Sequence, residues 1–136
     1  MSKENVEVVL DQFAATNERD FPRAMSHYAE DVELVVHSDA FLEAGTVSGR
    51  YAVGQWFANW FRTFEPGYHF DIGEARDFGD VVLLTATHHG RGRISGIEVH
   101  GETGYLYTLR DGKIVRGELF QTPAQALEAV ERRESV

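Results

Sequence analysis

Apolar positions change their period half-way along this chain, separating a helical first half from a stranded second half. Val6, Val9, Leu10 and Phe13 recur at three- and four-residue spacing, which predicts one face of a helix. Ser2 is placed to cap its start and Glu4 suits its first turn. Asp20 is placed to cap a second, short helix, in which Pro22 is tolerated because the first helical amides have no intrahelical partner. Ala24, Met25 and Tyr28 form its inner face. Val32 to His37 is short and β-branched and predicts a strand. Residues 38–47 predict a loop whose Phe41 and Leu42 serve as a plug or as a lid over a pocket. From Gly49 to Phe64 a third helix is predicted, with Val53, Trp56, Phe57, Trp60, Phe61 and Phe64 forming a wide, heavily aromatic stripe.

Beyond Pro66-Gly67, Tyr68, Phe70 and Ile72 alternate with polar or small residues, the period of a strand. Asp77-Phe78-Gly79-Asp80 predicts a hairpin turn leading into a run of β-formers from Val81 to Thr87. Asp111-Gly112 lies between two alternating apolar runs and predicts a two-residue turn with positive φ, placing Arg110 opposite Lys113. Carried on without interruption, that register sets Tyr107 opposite Arg116, Tyr105 opposite Glu118 and Thr103 opposite Phe120, all on one face of the sheet. Thr122-Pro123-Ala124-Gln125 forms a capping box with proline at the first helical position. It opens a last helix carrying Ala126, Leu127 and Val130, with residues 131–136 frayed. Helices followed by long antiparallel strands give an α+β class, and the length fits one domain over residues 1–136.

Composition narrows the function classes. The 22 acidic against 13 basic residues give a net charge of −9, a field that repels polyanions and argues against a nucleic-acid partner. Arg91-Gly92-Arg93 reads as a solvated loop. The absence of cysteine excludes disulfides and thiolate metal sites. No apolar run approaches the ~20 residues of a membrane span. The first residues, Met1-Ser2-Lys3-Glu4-Asn5, are polar where a signal peptide is apolar, so a cytoplasmic address is expected.

Several stretches carry a family resemblance. They are His27-Tyr28-Ala29-Glu30-Asp31-Val32-Glu33-Leu34, Gly45-Thr46-Val47-Ser48-Gly49-Arg50, Trp60-Phe61, Tyr107 through Arg116, and Ala126-Leu127-Glu128-Ala129. With these the chain resembles the nuclear transport factor 2-like superfamily, and within it the SnoaL-like, polyketide cyclase-like group. The resemblance implies a strongly bent antiparallel sheet forming a cone closed by the N-terminal helices, a cystatin-like α+β barrel with an internal pocket. It also implies a homodimer paired through the outer sheet face. Ketosteroid isomerases share the Tyr28-Ala29-Glu30-Asp31 segment, but their proton-moving aspartate corresponds to Val36 here and their hydrogen-bonding tyrosine to Gln12. A valine neither accepts nor releases a proton, so that reaction by those residues is not expected. The cyclase members resemble the chain more closely; their strand acid and neighbouring histidine correspond to Glu118 and Tyr105.

The remaining candidates come from the residues themselves. An inward Glu118 among Val115, Leu119 and Phe120 would have its pKa raised by desolvation, which suits a proton shuttle; an ion pair with Arg116, or an outer face, is the plainer alternative. His88 and His89 point to opposite faces, and alternation through Val82, Leu84 and Ala86 selects His88 as the inner one. It is either catalytic or a histidine bonded to backbone. His37 ends its strand beside Asp39, which could orient it as a base. His69 and His100 read as outward, and His27 as a surface helix residue. No histidine pair has helical metal-ligating spacing, so no metal is expected, and the glycine-rich run from Gly90 to Gly96 joins strands rather than opening a helix, so no nucleotide cofactor is expected. Tyr28, Trp56, Trp60, Tyr105, Tyr107 and Phe120 are the expected pocket lining, suited to a flat, apolar molecule with one or two oxygens. Three functions follow: a pocket protein for a small apolar molecule, a cofactor-free cyclase or isomerase using Glu118, or a dimerisation module whose cone is filled by its own side chains.

Overall fold

A computed structural model describes residues 2–37 and 45–134. The expected lid residues Phe41 and Leu42, and Asp39 beside His37, lie outside the described residues. Helix α1 (Ser2–Asn17) is followed by α2 (Phe21–Met25), β1 (Tyr28–Val36), β2 (Gly45–Ser48), α3 (Arg50–Arg62), β3 (His69–Asp77), β4 (Val81–Arg91), β5 (Glu98–Arg110), β6 (Lys113–Phe120) and α4 (Pro123–Glu134). The six strands form one curved, unclosed sheet in the order β2-β1-β6-β5-β4-β3.

The elements form largely where apolar spacing placed them. Val9 and Phe13 of α1 are buried, with Val6 and Leu10 packed partly against the same core. Asp20 caps α2 by accepting a hydrogen bond from the Arg23 amide, 3.2 Å. The short helix stops at Met25, however, and Tyr28 opens β1 instead of completing the helix face. The His27 imidazole is tied to Asp11 at 2.7 Å rather than solvated. Gly45–Ser48, expected as loop, pairs with β1 as an edge strand. The sheet is also not wholly antiparallel: β1 runs parallel to β6. At the other end α4 continues to Glu134 where fraying was expected.

The curved sheet has two buried faces. Its inner face carries Val32, Leu34 and Val36 from β1, Val82, Leu84 and Ala86 from β4, Tyr105 and Tyr107 from β5, and Leu119 from β6; α1 and α3 pack over it. Its outer face carries Leu83, Leu106 and Phe120, covered by Ala126, Ala129 and Val130 of α4. Gly104 lets α4 approach: a Cβ there would lie 2.8 Å from the Ala126 Cβ and 2.9 Å from the Thr122 carbonyl.

The β5–β6 hairpin turns as predicted, through Asp111 and Gly112 with φ of 54° and 77°, the paired positive values of a type I′ turn. Arg110 pairs with Lys113 and Leu109 with Ile114, but the next pair is Thr108 with Arg116. Val115 is the extra residue of a β-bulge. Beyond it every residue of β6 is displaced by one, so Tyr107 lies opposite Gly117, Tyr105 opposite Leu119 and Leu106 opposite Glu118. A one-residue slip moves each side chain to the other face. Glu118 and Phe120 therefore leave the inner face.

Candidate functional site

Among the described residues, buried and half-buried polar side chains gather in separate places. One group lines a cavity of about 280 Å³ beneath α1, α2 and α3, walled mainly by Phe21, Pro22, Met25, Phe57 and Tyr28. Gln12 and Tyr28 line this cavity; the buried Gln12 Oε1 has no hydrogen-bond partner, and Tyr28 Oη has none of ordinary geometry although the Tyr107 hydroxyl is close enough to interact with it. Both residues are deeply buried, with exposures of 4% and 1%. The orientation of Gln12 is fixed by its neighbour. Thr16 Oγ1 donates to the Gln12 carbonyl at 2.8 Å and so must accept from Gln12 Nε2 at 3.3 Å. That leaves Oε1 as a bare acceptor. Tyr28 lies beside Tyr107, and burial raises the ionisation of both phenols well above the ordinary value, so both are neutral hydroxyls. An unpartnered buried polar group costs about 1–3 kcal/mol, which a ligand can return.

The aromatic residues expected to line the pocket are divided by the structure. Tyr28 lines the cavity. Trp56, Trp60, Tyr105 and Tyr107 line an adjoining slot of about 20 Å³ that they nearly fill. The Trp56 and Trp60 rings stack at 5.9 Å, and Tyr105 spends its hydroxyl on Thr103 at 2.9 Å. Phe120 faces α4 on the outer side and lines neither space. The cone is thus plugged at its centre and open beside the helices.

Glu118 is wholly buried on the opposite face of the sheet, at 0% exposure. Arg133 of α4 donates to both its oxygens, at 2.7 and 2.8 Å. His37 lies 3.1 Å from Oε1, and Arg116 Nε lies 3.5 Å from Oε2. Burial pushes the carboxyl's pKa up, but the hydrogen bonds from Arg133 and His37 outweigh it and hold the group below its ordinary value. The expectation of an inward carboxyl with a raised pKa is corrected on both counts. His37 does meet Glu118, and its ring stacks on Phe120 at 4.4 Å. Arg133 escaped notice because it lay in the segment expected to fray.

The third group lies at the far end of the inner face. Trp60 Nε1 donates to Tyr68 Oη at 2.9 Å, and Tyr68 Oη is hydrogen-bonded to His88 Nδ1, also 2.9 Å away. His88 is on the inner side, as alternation predicted, and borders a hollow of about 320 Å³ with Trp60, Val99, Gly101 and Thr103. Burial first, then the neighbouring His89 and His100, push its pKa down. The lowered pKa keeps the imidazole neutral, with one ring nitrogen engaged by Tyr68. Glu118 and His88 belong to separate groups on opposite faces.

Strands also bring together what helical spacing could not. His69 and Asp71 of β3 and His89 of β4 have their ligand atoms within 4.8 Å of one another on the outer face.

With this geometry in view, comparison with known proteins gives the class. Residues 9–117 match the SnoaL-like domain. The chain belongs to that family, and its curved sheet and helices are of the NTF2-like, cystatin-like type. A search of curated proteins by sequence found no match. Among solved structures, TerC co-crystallised with polyporic acid is similar at 24% identity and a TM-score of 0.76, covering 94% of this chain and 98% of that one. A putative SnoaL-like polyketide cyclase from Jannaschia sp. CCS1 is similar at 21% identity and a TM-score of 0.79, covering 95% and 92%. A protein with a ketosteroid isomerase-like fold from Catenulispora acidiphila DSM 44928, in complex with trimethylamine, is similar at 21% identity and a TM-score of 0.74, covering 90% of each chain.

Proposed function

We propose that this protein binds a small, flat, largely apolar molecule in the cavity beneath α1, α2 and α3, with Gln12 and Tyr28 as its polar anchors. The observation that carries this reading is an apolar cavity lined by two buried polar residues, Gln12 and Tyr28, whose side-chain oxygens lack hydrogen bonds of ordinary geometry. Gln12 Oε1 calls for a ligand N–H or O–H, and Tyr28 Oη for a carbonyl or hydroxyl oxygen. The volume, about 280 Å³, lies near the lower end of ligand pockets, roughly 300–1,000 Å³. The fold relatives crystallised with polyporic acid and with trimethylamine are compatible with this use of the fold.

A cofactor-free cyclase or isomerase is the competing reading. Glu118 gives it little support, being committed to Arg133 on the other side of the sheet. Among the described residues lining the cavity, Tyr28 alone is titratable, and burial holds it neutral. A homodimer paired through the outer sheet face is the assembly expected by family likeness. Native mass spectrometry of freshly purified protein reads subunit number and any retained mass together. Polyporic acid then serves as the first probe for quenching of Trp56 and Trp60 fluorescence. Binding that weakens about tenfold in Y28F and in Q12L supports the reading; saturable binding unchanged in both variants overturns it.

A further inference from the structure

We propose that His69, Asp71 and His89 form a divalent-cation site of the zinc type on the outer face of the sheet. His69 and His89 are direct cross-strand partners, and Asp71 follows His69 by two residues on the same face. The three side chains therefore converge through ordinary strand geometry. His89 Nε2 lies 2.8 Å from Asp71 Oδ2, and His69 Nε2 lies 3.7 Å from Asp71 Oδ1. A tetrahedral zinc with ligand bonds of about 2.0–2.2 Å needs donors roughly 3.3 Å apart, so small side-chain rotations close the set around an ion.

The tautomer of His69 is already arranged. Its Nδ1–H donates to the Gly67 carbonyl at 2.9 Å, which leaves the Nε2 lone pair facing the other two ligands. A backbone carbonyl on the second imidazole nitrogen is the usual outer support of a metal-ligating histidine. His100, opposite His89 on β5, adds an imidazole whose ring centre is 4.6 Å from that of His89.

The surroundings suit a cation. His69 and His89 border an open hollow of about 350 Å³ with Glu65, Arg91 and Glu98. The charge of Arg91 is offset by Glu98 at 2.8 Å, and the chain's net charge of −9 concentrates cations near the surface. Two imidazoles and one carboxylate leave at least one position for water or an added ligand, and the mixture of nitrogen and oxygen donors favours zinc over calcium or magnesium.

The test is a Zn²⁺ titration of the intact, untagged protein, followed by side-chain ¹⁵N NMR of its histidines. The Nε2 signals of His69 and His89 are expected to move to metal-bound positions at near-equimolar zinc, while those of His27, His37 and His88 stay in place. H89A and D71N, checked for folding by circular dichroism without zinc, each weaken binding at least tenfold. Unmoved His69 and His89 signals under several-fold excess zinc, or an affinity unchanged in both variants, overturn the proposal.

Discussion

Arg133 in the last turn of α4 grips Glu118 of β6 with two parallel hydrogen bonds, of 2.7 and 2.8 Å. The bidentate geometry fixes the guanidinium and carboxylate planes as well as their separation. Glu118 cannot reach water to compensate for a lost partner, so the pair locks α4 across the outer face of the sheet.

Removing only the arginine is therefore the more damaging change. R133M is expected to destabilise the protein by about 2 kcal/mol, less than a fully buried pair would lose because Arg133 is itself half-exposed. E118Q/R133M is expected to recover part of that loss. Urea unfolding of the two single variants and the double variant measures the coupling; strictly additive losses would show that the pair does not act as a unit.

Acid stability should depend on the same carboxylate. Glu118 and Asp11 both sit below their ordinary pKa values of 4.5 and 3.8, Asp11 at about 2 through the hydrogen bond from Arg23 and then that from His27. As pH falls the unfolded chain takes up these protons first. Their stabilisation is full above the ordinary values and is lost as pH falls through the lowered ones. His88, depressed from 6.5, adds an earlier loss that begins as pH falls below that value. Unfolding free energy followed downward from pH 7 should decline, with a shallower acid limb in E118Q.

The cavity makes a prediction in which binding and stability diverge. Y28F deletes a hydroxyl held by no more than a weak contact with Tyr107, so the free protein's stability should change by less than about 1 kcal/mol in either direction, while ligand binding weakens. A variant that lost both together would point to a structural partner for the hydroxyl.

Tyr68 is the opposite case. Y68F strands the Trp60 indole N–H and the His88 Nδ1 together, at a cost of about 1–3 kcal/mol. The ¹⁵N shifts of His88 report the release directly, since its Nδ1 loses its hydrogen-bond partner.

Much of this fold was legible because it obeys simple periods. The α1 stripe, the aromatic face of α3, the Asp111-Gly112 turn and the capping box at Thr122 each pair a local pattern with a local cause, and His88 was placed inward by parity alone. The misplacement of Glu118 has a single origin. Parity counted from the Asp111-Gly112 turn holds as far as Ile114, and the bulge at Val115 then reverses it for Glu118 and Phe120. Nothing in Ile114-Val115-Arg116 announces an extra residue. Tyr28 was misread because a turn at Ser26-His27 ends one element and starts another within two residues. The vacant hydrogen-bonding capacity of Gln12 and the cross-strand histidines exist only in three dimensions. Both need the pairing of β3 with β4, or the packing of α1 against Tyr28, before they mean anything.

The parallel pairing of β1 with β6 has a consequence for how this protein is made. Glu33 and Arg116, which meet across that pair, are 83 residues apart in the chain. The hairpins of β3 to β6 can close as they emerge from the ribosome, but β1 must wait for almost the whole chain before its neighbour exists. Until then β1 has only the short β2 as a strand neighbour, although α1 and α3 can already cover its inner face. Closing so large a loop is slow, and an unsatisfied strand edge is a template for unwanted association. Slower synthesis and lower nascent-chain concentration should therefore raise the yield of folded protein.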